Sequence, residues 1–265
     1  MRNRDYINMQ EQKEIYINKL RTNYKVIGKG KPIVILHGWG GSSDSWERVA
    51  KILCLKGYKV ISPDFPGFGK SITPLKIWDL DDYTNWLEDF LHSLKLKNIS
   101  IISHSFGGRV AVKFAAKHST QIEKLILCSP AGVRIKPNLS TQTALYANAV
   151  GGFILNKKVL NLFKGSIKSW SYFFLRNSDY VKADKAMREI MKKVLAEDLT
   201  QKLVEIRAET LIVWGEKDRL IPLKYAYVFK GHIKNSKLKI LPKIGHSPHL
   251  EDPEKFIEVI FKFLC

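Results

Sequence analysis

The sequence predicts an α/β fold: an eight-stranded, mostly parallel sheet flanked by helices on both faces. Two observations carry that expectation. Short β-branched runs alternate with longer segments of helical period, and the later runs are nearly continuous in apolar residues, as strands buried on both faces should be. The chain has 265 residues, 45% hydrophobic and 26% charged, enough for one large core without disulfides or a structural metal.

Residues 14–18 (EIYIN) and 22–28 (TNYKVIG) read as an antiparallel opening pair. Six further strands follow at 33–36, 59–62, 99–103, 124–128, 210–214 and 237–241, all six read as buried central strands. Helices are expected at 45–56, 81–94, 106–118, 223–230 and 253–263 from apolar residues at three and four spacing, with Asp81 as an N-cap. From 133 to 207 no buried strand is evident, and Trp170, Tyr172, Phe173, Phe174, Met187, Met191 and Leu195 recur among charges at helical intervals. This stretch is expected to be a helical cap inserted into a core domain made of 1–132 and 208–265.

The formal charge of +19 invites a polyanion partner, but lysines are spread singly among acidic residues and no nucleic-acid-binding motif accompanies them. The expectation is therefore a solvated basic surface with no nucleic-acid and no membrane partner. The first fifteen residues lack a signal-type apolar stretch, and no later stretch approaches a membrane span. Cys54, Cys128 and Cys265 are scattered and odd in number, which points to free thiols and a cytoplasmic location.

The chemistry concentrates at four places. In I-S-I-I-S-H-S-F-G-G-R-V-A a buried strand runs into a helix through a tight turn at Ser105, the form of a nucleophile elbow. The usual pattern has glycine two residues before and after the serine; here Gly107 is present and small Ser103 takes the first place. A serine hydroxyl needs a base and a third group to orient that base. His246 supplies a base in a loop where Gly245 permits the turn, whereas His249 lacks that glycine and lies nearer the final helix; His92, His118 and His232 read as solvated. Asp218 and Glu216 both lie just past a strand end and are both candidates for the acid. His37-Gly38-Trp39-Gly40-Gly41 follows another strand, and the backbone N–H groups of Trp39 and Phe106 are candidates for stabilising an oxyanion. Open parallel sheets bind ligands beyond the carboxyl ends of their strands, so these groups should emerge on one edge.

Together these pieces resemble the α/β-hydrolase superfamily. H-G-W-G-G-S-S-D-S-W is similar to its oxyanion loop, D-F-P-G-F-G-K-S (64–71) to its strand-four loop, and S-H-S-F-G-G to its elbow. W-G-E-K-D is similar to its acid loop and G-H-S-P-H-L-E-D-P-E-K-F to its histidine loop. The resemblance implies a cap after strand six, no cofactor and no metal, and it favours Asp218 over Glu216. It implies a serine rather than an aspartate nucleophile. The leading expectation is a serine hydrolase of carboxylesterase type acting on small to medium, largely apolar esters, as a monomer or homodimer. Trp39, Tyr146, Phe153, Trp170, Tyr172 and Phe173 are candidates for the substrate pocket. Alternatives are a carbon–carbon bond hydrolase of the meta-cleavage-product type and a proline aminopeptidase. The latter would need an acidic cap cluster, and Asp179, Asp184 and Glu189 read instead as a solvated helix face. A ligand-binding protein on the same fold is the alternative without turnover.

Overall fold

A computed structural model describes residues 10–134 and 185–265. Its eight strands are β1 (Glu11–Ile17), β2 (Leu20–Ile27), β3 (Lys31–Leu36), β4 (Tyr58–Pro63), β5 (Ile99–His104), β6 (Ile122–Cys128), β7 (Glu209–Gly215) and β8 (Ser236–Leu241). They form one sheet in the order β1-β2-β4-β3-β5-β6-β7-β8. β1 with β2 and β2 with β4 are antiparallel, and every later pairing is parallel. The described helices are α1 (Glu47–Leu55), α2 (Leu80–Ser93), α3 (Phe106–Lys117), α4 (Lys185–Ala196), α5 (Lys224–His232), α6 (Pro248–Glu251) and α7 (Pro253–Leu264).

The period-two alternation of strand side chains divides the core between the two faces. Val34, Leu36, Ile101, Leu125, Leu127 and Ile212 join the residues of α2, α3, α4 and α5 in one cluster. Ile33, Ile35, Ile102, Ile126 and Val213 join those of α1 and α7 in the other. The central strand β5 is buried at every position. The parallel strands therefore deliver their carboxyl ends, and the loops that follow, to one edge.

β8 departs from the expectation of a buried central strand. It is an edge strand whose Lys237 and Lys239 are exposed while Leu238 and Ile240 are half-buried. Charged lysines on an open edge oppose pairing with another chain.

α2 also starts differently from expectation. Its N-cap is Asp79, whose carboxylate accepts the Asp82 N–H at 3.1 Å while the Asp82 carboxylate accepts the Asp79 N–H at 2.8 Å. Asp81 instead points outward to Lys113, 2.8 Å away. The helix buries Leu80, Tyr83, Leu87, Phe90 and Leu91 along one stripe, and each such side chain stabilises the fold by about 1.5–3 kcal/mol. It ends where Lys95 takes φ 52° and Leu96 donates back to the Leu91 carbonyl.

The cap assignment meets the described residues only at its ends. Within 185–207 stand α4, which buries Met187, Ile190, Met191 and Val194, and a 3-10 segment, Thr200–Glu205. Trp170, Tyr172, Phe173, Phe174, Asp179 and Asp184 lie outside the described residues.

These caps predict unequal effects in urea unfolding. Asp79→Ala should cost about 1 kcal/mol, whereas Asp81→Ala, which removes an exposed carboxylate and leaves Lys113 paired with Glu197, should change stability by less than about 0.5 kcal/mol.

Candidate active site

Ser105 stands between β5 and α3 with φ 50° and ψ −108°, a conformation that L-residues avoid. Three neighbouring backbone groups hold it there. Its N–H donates to the Cys128 carbonyl at 3.2 Å, and its carbonyl accepts from Gly108 at 3.0 Å and Ala131 at 3.1 Å. Gly107 is required by close approach, since a Cβ there would overlap the carbonyl oxygens of Leu36, the last residue of β3, and of His37 after it. Ser103 fits at the other small position because its fully buried hydroxyl donates to the Ile126 carbonyl at 3.3 Å.

β7 delivers Asp218. A Cβ on Gly215 would collide with the Ile244 and Gly245 carbonyls, so glycine is what lets the loops after β7 and β8 touch. The Asp218 carboxyl is fully buried and receives three N–H donors: Leu220 at 2.9 Å, Ile221 at 2.8 Å and His246 Nδ1 at 2.8 Å. A carboxylate only accepts, so Nδ1 carries a proton, and in the neutral ring Nε2 keeps its lone pair. That Nε2 is buried and has no hydrogen-bond partner among the described residues. Glu216, the competing acid, turns away and accepts the Lys243 N–H at 3.0 Å.

The His246 loop turns by another means than a flexible Gly245. Lys243 takes the positive φ, 65°. Glu251 then grips the backbone on both sides of His246, accepting the N–H of Gly245 at 2.7 Å and of Ser247 at 2.9 Å. His249, the rival base, faces the core on α6. It stacks on Trp46 with centroids 4.0 Å apart, and burial, aided by nearby His246, pushes its pKa down to about 3. His92 is exposed as expected, but His118 and His232 are not simply solvated. His118 lies 3.0 Å from Glu88, and His232 donates from Nδ1 to the Val228 carbonyl at 2.8 Å.

The loop after β3 is held by two groups to which sequence reasoning attached no role. His37 donates from Nδ1 to the Gly38 carbonyl at 2.7 Å and accepts the Phe65 N–H on Nε2 at 3.0 Å. That pairing suits only the neutral ring, and burial lowers its pKa accordingly. Asp64 accepts from Ser43 N–H at 2.6 Å, Asn23 Nδ2 at 2.8 Å and Lys70 N–H at 2.9 Å, joining β2 to the loops after β3 and β4. The signal available was the position of Asp64 at a strand end, before a turn rich in glycine.

The half-buried ring of Trp39 packs 5.2 Å from Phe106 and 4.8 Å from Phe68, so the residues of the two expected N–H donors are adjacent. Phe106 opens α3, where an N–H lacks an intrahelical acceptor. The other pocket candidates, Tyr146, Phe153, Trp170, Tyr172 and Phe173, lie outside the described residues. Buried Arg109 faces α4, donating to the Val194 carbonyl at 2.6 Å and the Glu197 carbonyl at 2.5 Å. Burial lowers its pKa to about 10. Among the described residues no group of three His, Cys, Asp or Glu side chains is placed to hold a metal ion, and no helix is long and apolar enough to cross a membrane.

The sequence profile of the Alpha/beta hydrolase family matches residues 33–259, from β3 to α7. The chain belongs to this family. Among its relatives is the AB hydrolase superfamily protein YisY of Bacillus subtilis, 28% identical over 97% of this chain and 98% of that one. The 2-hydroxy-6-oxo-6-(2'-aminophenyl)hexa-2,4-dienoic acid hydrolase of Metapseudomonas resinovorans is 28% identical over 92% of this chain and 88% of its own. A solved serine hydrolase involved in carbazole degradation superposes with a TM-score of 0.73 at 26% identity, covering 96% of this chain and 98% of the other.

The buried imidazoles give this alpha/beta hydrolase an acid limit. His249 unfolded has its ordinary value of 6.5 and folded about 3. The unfolded chain thus binds the proton first, and the stability tied to neutral His249 is complete above pH 6.5 and lost as pH falls towards 3. Replacing His249 with Phe, which keeps a ring against Trp46, should flatten the fall in unfolding free energy between pH 6 and 4 by up to about 1.4 kcal/mol per pH unit.

Proposed function

We propose that this alpha/beta hydrolase cleaves carboxylic esters of small to medium, largely apolar substrates, with Ser105 as nucleophile, His246 as base and Asp218 as the group that orients it. The observation that carries the reading is the state of His246: one ring nitrogen committed to Asp218 at 2.8 Å, the other buried and free to accept a proton. The strained turn at Ser105 lies next to it, since His104, its chain neighbour, packs its ring 4.8 Å from that of His246.

In the proposed cycle Ser105 Oγ attacks the ester carbonyl carbon as His246 Nε2 takes its proton. The tetrahedral oxyanion faces the N–H groups of Trp39 and Phe106, each donor lowering the barrier by about 3 kcal/mol. The C–O bond then breaks and His246 returns the proton to the departing alcohol. Water, deprotonated by the same nitrogen, attacks the acyl-enzyme and releases the acid and Ser105.

Support for an apolar, uncharged substrate comes from the half-buried ring of Trp39, which packs on the core rings of Phe68 and of Phe106, the residue next to Ser105 in sequence. The guanidinium of Arg109, beside the elbow in sequence, is buried and turned towards α4, where Nη2 donates to the Val194 and Glu197 carbonyls. A carbon–carbon bond hydrolase is the second reading, favoured by the relative named for a dienoic acid. It employs the same Ser105 and His246 on a vinylogous diketone, whose acid group needs a cation.

Steady-state assays separate the two. Nitrophenyl acetate, butyrate and octanoate should be turned over with kcat/KM well above that for a 2-hydroxy-6-oxo-dienoate; the reverse order would establish the second reading. In either case Ser105→Ala and His246→Ala should lower kcat by about 10⁴-fold or more, and Asp218→Asn by about 10⁴-fold. Near-normal turnover by Ser105→Ala would remove both readings.

A further inference from the structure

His104 precedes Ser105 at the end of β5, is buried, and has no part in the cycle above. Its Nε2 lies 2.9 Å from the backbone carbonyl of His246. The carbonyl can only accept, so Nε2–H is the donor. The imidazole is wedged between loops: a Cβ on Gly38 would come within 2.7 Å of His104 Nδ1, and the rings of His246 and His249 lie 4.8 Å and 4.6 Å away. Behind it the stack of His249 on Trp46 closes the column against the core.

We propose that His104 is a positioning residue: by donating to the His246 carbonyl it sets the location of the catalytic imidazole relative to Ser105, while its ring spaces the Gly38 loop from the histidine loop. The proposal rests on the roles given above to Ser105, His246 and Asp218. Glu251 holds the N–H groups on either side of His246, and Asp218 holds the ring nitrogen. The His246 carbonyl is a further handle, and His104 takes it from the strand that bears the nucleophile. Distance between nucleophile and base is thereby fixed within adjacent residues instead of through the whole sheet. Burial keeps His104 neutral, the two nearby histidines adding to the effect, so its donor does not change with pH in the working range. A packing role alone would need no donor, and a buried N–H is costly unless paired.

Three variants in the full chain test this. His104→Phe fills the space without a donor, His104→Gln carries an amide N–H at the reach of Nε2, and His104→Asn carries one that falls short. The Phe and Asn variants should lose on the order of 10- to 100-fold in kcat, as a displacement near 1 Å does, with KM within about twofold; Gln should recover most of the loss. The downfield proton resonance of His246 Nδ1–H should move or broaden in Phe and Asn and return in Gln. Full activity and an unmoved resonance in the Phe variant, or equal losses in Phe and Gln, would overturn the proposal. The resonance is read without turnover, so it judges His104 even if Ser105→Ala were to show that the catalytic reading itself is wrong.

Discussion

The arrangement depends on the turn at Ser105. A residue at φ 50° and ψ −108° costs on the order of 1–3 kcal/mol and persists only where its surroundings over-determine it. Here β6 accepts the Ser105 N–H, α3 and the segment after β6 donate to its carbonyl, and Gly107 admits the turn against β3. These contacts come from strands on both sides of β5, so the elbow is a product of the parallel sheet and not of its own few residues. The strain lifts the serine clear of the strand at the edge where the loops after β3, β7 and β8 meet.

Around that turn, the polar side chains that hold the loops are paired, and His37, Asp64 and Asp218 among them are buried while Glu251 is exposed. Asp64 and His37 tie the loops after β3 and β4 together, and Glu251 and Asp218 secure the histidine loop. Burial costs such groups heavily unless they are bonded, and pairing them makes the loops rigid. His246 Nε2, like Trp46 Nε1, Arg109 Nε and His249 Nδ1, is a buried nitrogen without a partner among the described residues; what sets it apart is a ring held at the strand-end edge by Asp218.

The strand order along the chain was legible because it follows from apolar runs, and so was the placement of Ser105, Asp218 and His246 just beyond the ends of β5, β7 and β8. Choosing Asp218 over Glu216 needed the family resemblance, since only three-dimensional contacts send Glu216 to Lys243. What escaped was set by geometry outside local pattern. Asp79, Asp81 and Asp82 are equivalent as sequence, and hydrogen-bond direction alone selects Asp79 as cap. The edge position of β8 was visible in the alternation of Lys237 and Lys239 with Leu238 and Ile240, a period-two signal that outweighs the apolar content of the run. His104 and His249 are buried polar residues, which no periodicity identifies; their place comes from the column on Trp46.

The central claim is that the hydroxyl at the strained turn is the activated nucleophile. The most direct measurement is covalent: exposure to a fluorophosphonate at neutral pH, followed by peptide mass spectrometry. The account predicts one stoichiometric adduct on Ser105, lost when His246 is replaced by alanine. An unmodified protein, or an adduct on another serine with Ser105 untouched, would contradict it.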